Sequence, residues 1–177
     1  YRSLPRSIKL SLNLCHVICG DFYPSAFLHL FVLNSILEDL PHTCTVFWQR
    51  ASCDPHHLPL HASASGKLYL SSIKKEDALE IFKNIKTPKS AKNTITDIDK
   101  FKKEINKINK NGYAFDDEEW FNGMVGISLP ITNSKNELCF CLSTHTAKSR
   151  KNIEDLKKIY PTMLSAAKNL KKALFKD

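Results

Sequence analysis

A chain of 177 residues with 42% hydrophobic side chains can bury one substantial core and a small helical annex, and its six irregularly spaced cysteines exclude a disulfide-framed miniprotein. No apolar stretch approaches the ~20 residues that span a bilayer, because His29, Asn34, Ser35 and Glu38 interrupt the best candidate. The net charge of +8 lies wholly beyond residue 61, since residues 1 to 61 carry four basic and four acidic groups. That balance favours anionic partners. Yet there is no aromatic interleaving of the kind that grips single strands and no recognition helix, so the lysines read as solubilising and the compartment as a reduced cytoplasm.

The stretch from Arg2 to Gly20 sets basic residues ahead of LSLNLCHVIC and so mimics a signal peptide, but it lacks a small-x-small cleavage site. It reads as a buried or dimer-forming segment. Ile8, Leu10, Leu12 and Leu14 alternate as a strand would, while Ile8, Leu12 and Val17 also suit a helix. The pattern then predicts a helix from Pro24 to Leu40, with Phe27, Leu30, Phe31, Leu33, Leu37 and Leu40 covering most of its circumference. A helix apolar nearly all round must be buried or meet a partner. Residues 1–40 are therefore expected to form linker and dimerisation helices, residues 41–177 the main domain, and the protein a homodimer or tetramer.

Thr43 to Gln49 is β-branched and aromatic and predicts a strand, followed by a loop from Ala51 to Pro59. HASASGKLYL opens a short helix, and a second runs from Lys74 to Asn84 with Ser72 as its cap and Ala78, Leu79 and Phe82 facing inward. Ile98, Phe101, Ile105 and Ile108 fall on one stripe of a helix from Asp97 to Asn111 that Gly112 stops. Met124 to Ile131 and Leu138 to His145 predict two strands joined by the turn TNSKNE. The chain closes on a helix with Ile153, Leu156, Tyr160, Leu164, Ala167, Leu170 and Leu174 on one face, which Pro161 should kink or break.

Alternation sets Cys139, Cys141, Ser143 and His145 on one strand face, and Val125, Ile127, Leu129 and Ile131 opposite Gly126 and Ser128 on the neighbour. The apolar faces should pack on the long helices. The remaining face of thiols, hydroxyls, glycine and an imidazole suits a pocket for a small polar ligand.

Three blocks stand in order along the chain: Pro59–Lys67 (PLHASASGK), Gly112–Glu119 (GYAFDDEE) and Leu142–Arg150 (LSTHTAKSR). In this order and spacing they closely resemble the effector-binding domain of the IclR family of bacterial transcriptional regulators. The resemblance implies an α/β, GAF-like fold, a mostly antiparallel sheet flanked by helices, with one face cupping an effector. It implies a sensor of a small carboxylate, not an enzyme, with no cofactor. DNA would be met through a helix-turn-helix domain that this chain lacks, and the family favours helix for the opening segment. The backbone at Ala64 and Ser65 would hold the effector's carboxylate, with Asp116, Ser143 and His145 on its other oxygens. The positions of Gly126 and His145 commonly carry a thiol and a hydroxyl in relatives, so the glycine enlarges the site and the histidine makes it titratable.

Each residue also has a plainer reading. Ser143 and His145 could be satisfied strand groups, Ala64 to Gly66 could permit close packing, and Asp116 could order an acidic turn. Two other functions fit some of the residues. Cys53, His56, His57 and His61 have the donor types zinc prefers, though their spacing matches no strong zinc signature. A hydrolase on Cys141 or Ser143 with His145 lacks a nucleophile elbow.

Overall fold

A computed structural model describes residues 59–85 and 87–175, and the backbone of residues 27–31 and 44–49. Its centre is a five-stranded antiparallel sheet in the order β1-β2-β5-β4-β3. The strands are β1 (Phe27–Phe31), β2 (Cys44–Gln49), β3 (Ala114–Asp117), β4 (Met124–Thr132) and β5 (Leu138–Ala147). Four helices accompany them: α1 (Ala64–Ser72), α2 (Lys75–Asn84), α3 (Ile98–Asn111) and α4 (Ile153–Leu174).

β1 overturns the helix expected from Pro24 to Leu40. Phe27 to Phe31 pairs antiparallel with β2, Leu28 opposite Trp48 and Leu30 opposite Val46. A short apolar run suits a buried strand as well as a helix, and only the long-range partner decides between them. Residues 27–31 therefore form no all-round apolar helix that would need a second subunit to cover it, and the sheet begins before residue 41. The opening segment through Gly20 and the Cys53, His56 and His57 loop lie outside the described residues.

The two faces of the sheet are covered differently. Val125, Ile127, Leu129, Ile131 and Leu142 are buried beneath Leu156, Met163, Ala166, Ala167 and Leu170 of α4. α4 runs through Pro161 without a break, which removes one of the two expected outcomes, a kink or a break. The proline lies on the exposed side, where water can replace the lost amide bond. Asn152 and Asp155 start this helix with reciprocal bonds, Asp155 N to Asn152 Oδ1 at 3.1 Å and Asn152 N to Asp155 Oδ2 at 3.2 Å.

On the opposite face α1 crosses β3, β4 and β5, with α3 against it. Leu68 of α1 and Ile108 of α3 meet Ala114 and Cys141 of the sheet. Farther out, Leu70, Ala78, Phe82, Phe101 and Ile105 form the annex core that joins α1, α2 and α3. The third helix follows its sequence signals closely: Asp97 caps it by accepting from the amides of Asp99 and Lys100, and Gly112 ends it at φ 77°. The second does not. Ser72 belongs to α1, where its hydroxyl donates to the Tyr69 carbonyl at 2.7 Å, and Lys74 precedes α2 without a side-chain cap.

Candidate functional site

The face beneath α1 is built in rows by the strand register. Asp116, Gly126 and His145 stand side by side across β3, β4 and β5, and Ala114, Ser128 and Ser143 form the next row. Gly126 has a steric reason to be glycine: a Cβ there would lie 2.5 Å from His145 Nδ1. The expectation that this glycine enlarges the site is thus corrected, because the imidazole fills the space. Burial lowers the pKa of His145, favouring the neutral ring.

Ser143 is fully buried and its hydroxyl shares a hydrogen bond of 2.8 Å with Ser128 Oγ. A hydroxyl has one proton and two lone pairs, so each serine keeps capacity for a further partner. Cys141 lies one row beyond, opposite Pro130, and burial pushes its thiol up to about 12. Burial thus disfavours the thiolate that a cysteine hydrolase would need.

α1 begins directly after the tight turn Pro59–Ser63, in which the amides of Ala62 and Ser63 both donate to the Pro59 carbonyl. Ser63 caps the helix by accepting from Gly66 N at 3.1 Å. Gly66 lets the helix sit on the turn, since a Cβ would meet Leu60 Cα at 2.5 Å and Leu60 O at 2.6 Å. The packing reading of Gly66 is therefore borne out. Ala64 and Ser65 are both buried, and among the described residues the Ser65 hydroxyl has no hydrogen-bond partner.

The acidic run is not a solvated turn. Asp116, Glu118 and Glu119 are 0%, 5% and 7% exposed, so the run is largely interior, and each carboxylate has a different set of partners. Asp116 Oδ1 accepts from the amides of Glu119 at 2.9 Å and Trp120 at 3.3 Å, while Oδ2 is buried without a hydrogen-bond partner among the described residues. Burial raises the Asp116 pKa against the pull of those amides and of Lys67. Glu118 accepts from Gly123 N at 3.0 Å and pairs with Lys148 and Lys92, Lys148 first among the causes that bring its carboxyl to about 2. Glu119 pairs with Lys67 inside the protein.

Lys67 is a buried charge beside this face that the sequence did not single out. It is fully buried, and its ammonium holds Glu119 on one side and Glu104 of α3 at 3.1 Å on the other. One signal for this was available: Glu104 falls beside Phe101, Ile105 and Ile108, toward the buried side of α3, where a carboxylate needs a cation. His61 is likewise interior. Its ring lies 3.2 Å through Nε2 from the Pro88 carbonyl and edge-on to Phe82, and burial lowers its pKa. Among the described residues no group of three metal-binding side chains comes together.

A sheet with one face sealed by a long helix, and the other, which holds Ser128 and Ser143, lying under the start of a helix, defines the α/β architecture of the domain. Residues 54–172 match the family described as bacterial transcriptional regulator IclR C-terminal, and the chain belongs to that family. A transcriptional regulator of Haemophilus influenzae is 34% identical over 101 residues, covering 54% of this chain and 37% of that protein. The regulator KdgR of Dickeya chrysanthemi is 28% identical over 113 residues, covering 63% and 37%. The chain thus spans less than half the length of these curated relatives, which are transcriptional regulators. Among solved structures, a double mutant of the inducer-binding domain of the PobR transcription factor from Acinetobacter, in complex with 3-hydroxybenzoic acid, superposes with a TM-score of 0.63 at 22% identity, covering 75% of this chain and 83% of that one. The C-terminal domain of Escherichia coli KdgR gives 0.61 at 20% identity, covering 76% and 82%. Both share the fold.

Proposed function

We propose that this chain is the effector-sensing part of a DNA-binding transcriptional regulator and takes a small carboxylate between the first turn of α1 and the Asp116–Gly126–His145 row. One observation carries the reading: Ser65 and Asp116 each bury a side-chain oxygen without a hydrogen-bond partner among the described residues. Leaving such a group unpaired costs about 1–3 kcal/mol, which a bound ligand would relieve. In this reading the ligand's carboxylate takes the amides of Ala64 and Ser65, where the helix dipole favours an anion. Asp116 Oδ2 shares a proton with another ligand oxygen, and the burial that raises this carboxyl favours the sharing. Ser143 and His145 contact the remaining polar end. The 3-hydroxybenzoic acid bound to the double mutant of the PobR domain supports an organic acid as the ligand class. A helix-turn-helix domain would carry the DNA contact, in a cytoplasmic homodimer or tetramer.

Calorimetric titration of short keto, hydroxy and aromatic acids, 3-hydroxybenzoate among them, tests the reading. At least one acid is expected to bind, and Ser143→Ala should weaken it roughly tenfold to a hundredfold with the domain still folded. Because burial lowers the His145 pKa, the ring enters as a neutral partner and should add no pH dependence near neutrality. No binding by any acid, or binding indifferent to both Ser143→Ala and His145→Ala, would refute the site.

A further inference from the structure

We infer that Lys67 is a positioning residue of this site: it ties α1, which carries Ser65, to the turn whose amides orient Asp116. The inference rests on the effector-site reading, and its chain of contacts is short. Lys67 Nζ pairs with Glu119, and the Glu119 amide donates to Asp116 Oδ1 at 2.9 Å, with the Trp120 amide at 3.3 Å. One carboxylate oxygen of Asp116 is thereby fixed, which aims the other, Oδ2. The turn is also pinned from outside. Thr94 Oγ1 donates to the Glu119 carbonyl at 2.6 Å, Asn93 Nδ2 to the Asp117 carbonyl at 2.8 Å, and Lys148 pairs with Asp117 at 2.9 Å and with Glu118. These outer ties come from the loop before α3 and from the end of β5. Lys67 supplies the tie from the helix on the other side of the site, so it sets the spacing between Ser65 and Asp116.

Its burial gives the tie direction. A fully buried ammonium must be compensated, and Glu104 at 3.1 Å anchors it against α3 while Glu119 draws it toward the turn. The charged and titratable groups around Glu119 are Lys67 from α1, Glu104 from α3 and Asp116 from β3. Burial first, then Glu104 and Asp116, raise the Glu119 carboxyl to about 7 against the pull of Lys67. Protonation of Glu119 near neutral pH therefore weakens the tie.

Glu119→Gln tests the inference without ligand, because it removes one charge while Lys67 keeps Glu104. Two readouts apply to the chain and its variant: hydrogen exchange at the Trp120 amide, and the titration midpoint of Asp116 followed by carboxyl carbon NMR. Protection of Trp120 should fall by about tenfold, with Leu170 of α4 unchanged, and the Asp116 midpoint should rise as its amide partners loosen. A purely electrostatic role predicts the opposite sign, since a Lys67 freed from Glu119 would lower Asp116. Unchanged Trp120 protection, or an Asp116 midpoint that falls or stays, would overturn the proposal. Neither readout needs an effector, so failure here is distinguishable from failure of the acid titrations.

Discussion

Lys67→Met is expected to destabilise the domain by about 3–5 kcal/mol, because it leaves two inward carboxylates without their shared cation. Lys67 is fully buried, and the side chains of Glu104 and Glu119 are only 16% and 9% exposed. Methionine keeps most of the lysine stem, so the loss reports the charge and not the packing. The loss should also depend on pH. Glu119 titrates at about 7 in the folded protein, above its ordinary 4.5, chiefly through burial. A carboxyl raised on folding gives stability that is fully present below its unfolded pKa and is lost as pH rises through the folded one. Without Lys67 the Glu119 pKa rises further, so the gap between the two proteins should be widest above neutral pH and narrow as pH falls. Urea denaturation at about pH 5.5 and about pH 8.5 measures both. A variant as stable as the parent, or a deficit independent of pH, would contradict the buried triad.

Phe101→Ala should cost about 3–5 kcal/mol by a different mechanism, a cavity at the junction of the three annex helices. Phe101 is 0% exposed and stacks on Phe82 with ring centroids 4.1 Å apart and an interplanar angle of 18°. Leu70 of α1 and Ala78 of α2 belong to the same cluster, so no single helix can close the void by shifting alone. Since α3 also carries Glu104, the void should loosen the anchor of Lys67 as well. Leu79→Ala is the control, because Leu79 only flanks that cluster and should cost markedly less. Thermal or urea unfolding of both variants checks this, and equal losses would mean that the annex core is not centred on Phe101.

Local chemistry made much of this architecture legible in advance. Asp97 and Gly112 bracket α3 because a cap side chain and a left-handed glycine act within a few residues of the helix they bound. Strand alternation likewise divided β4 and β5 into an apolar face, now under α4, and a face of hydroxyls and small residues beneath α1. The three motif blocks pointed to the IclR family. Local pattern failed where a distant partner decided the outcome. Phe27 to Phe31 is a strand because β2 supplies its hydrogen bonds, and nothing within five apolar-rich residues encodes that partner. Gly126 does not open the site because His145, nineteen residues on by sequence but adjacent by register, lies over it. Glu119 at the end of the acidic run is interior because Lys67, 52 residues upstream, lies beside it in space. The residues themselves determined which groups could bind, cap or alternate. The tertiary structure alone decided which charges met, because the free energy of burying a charge depends on a partner that only the folded chain brings within reach.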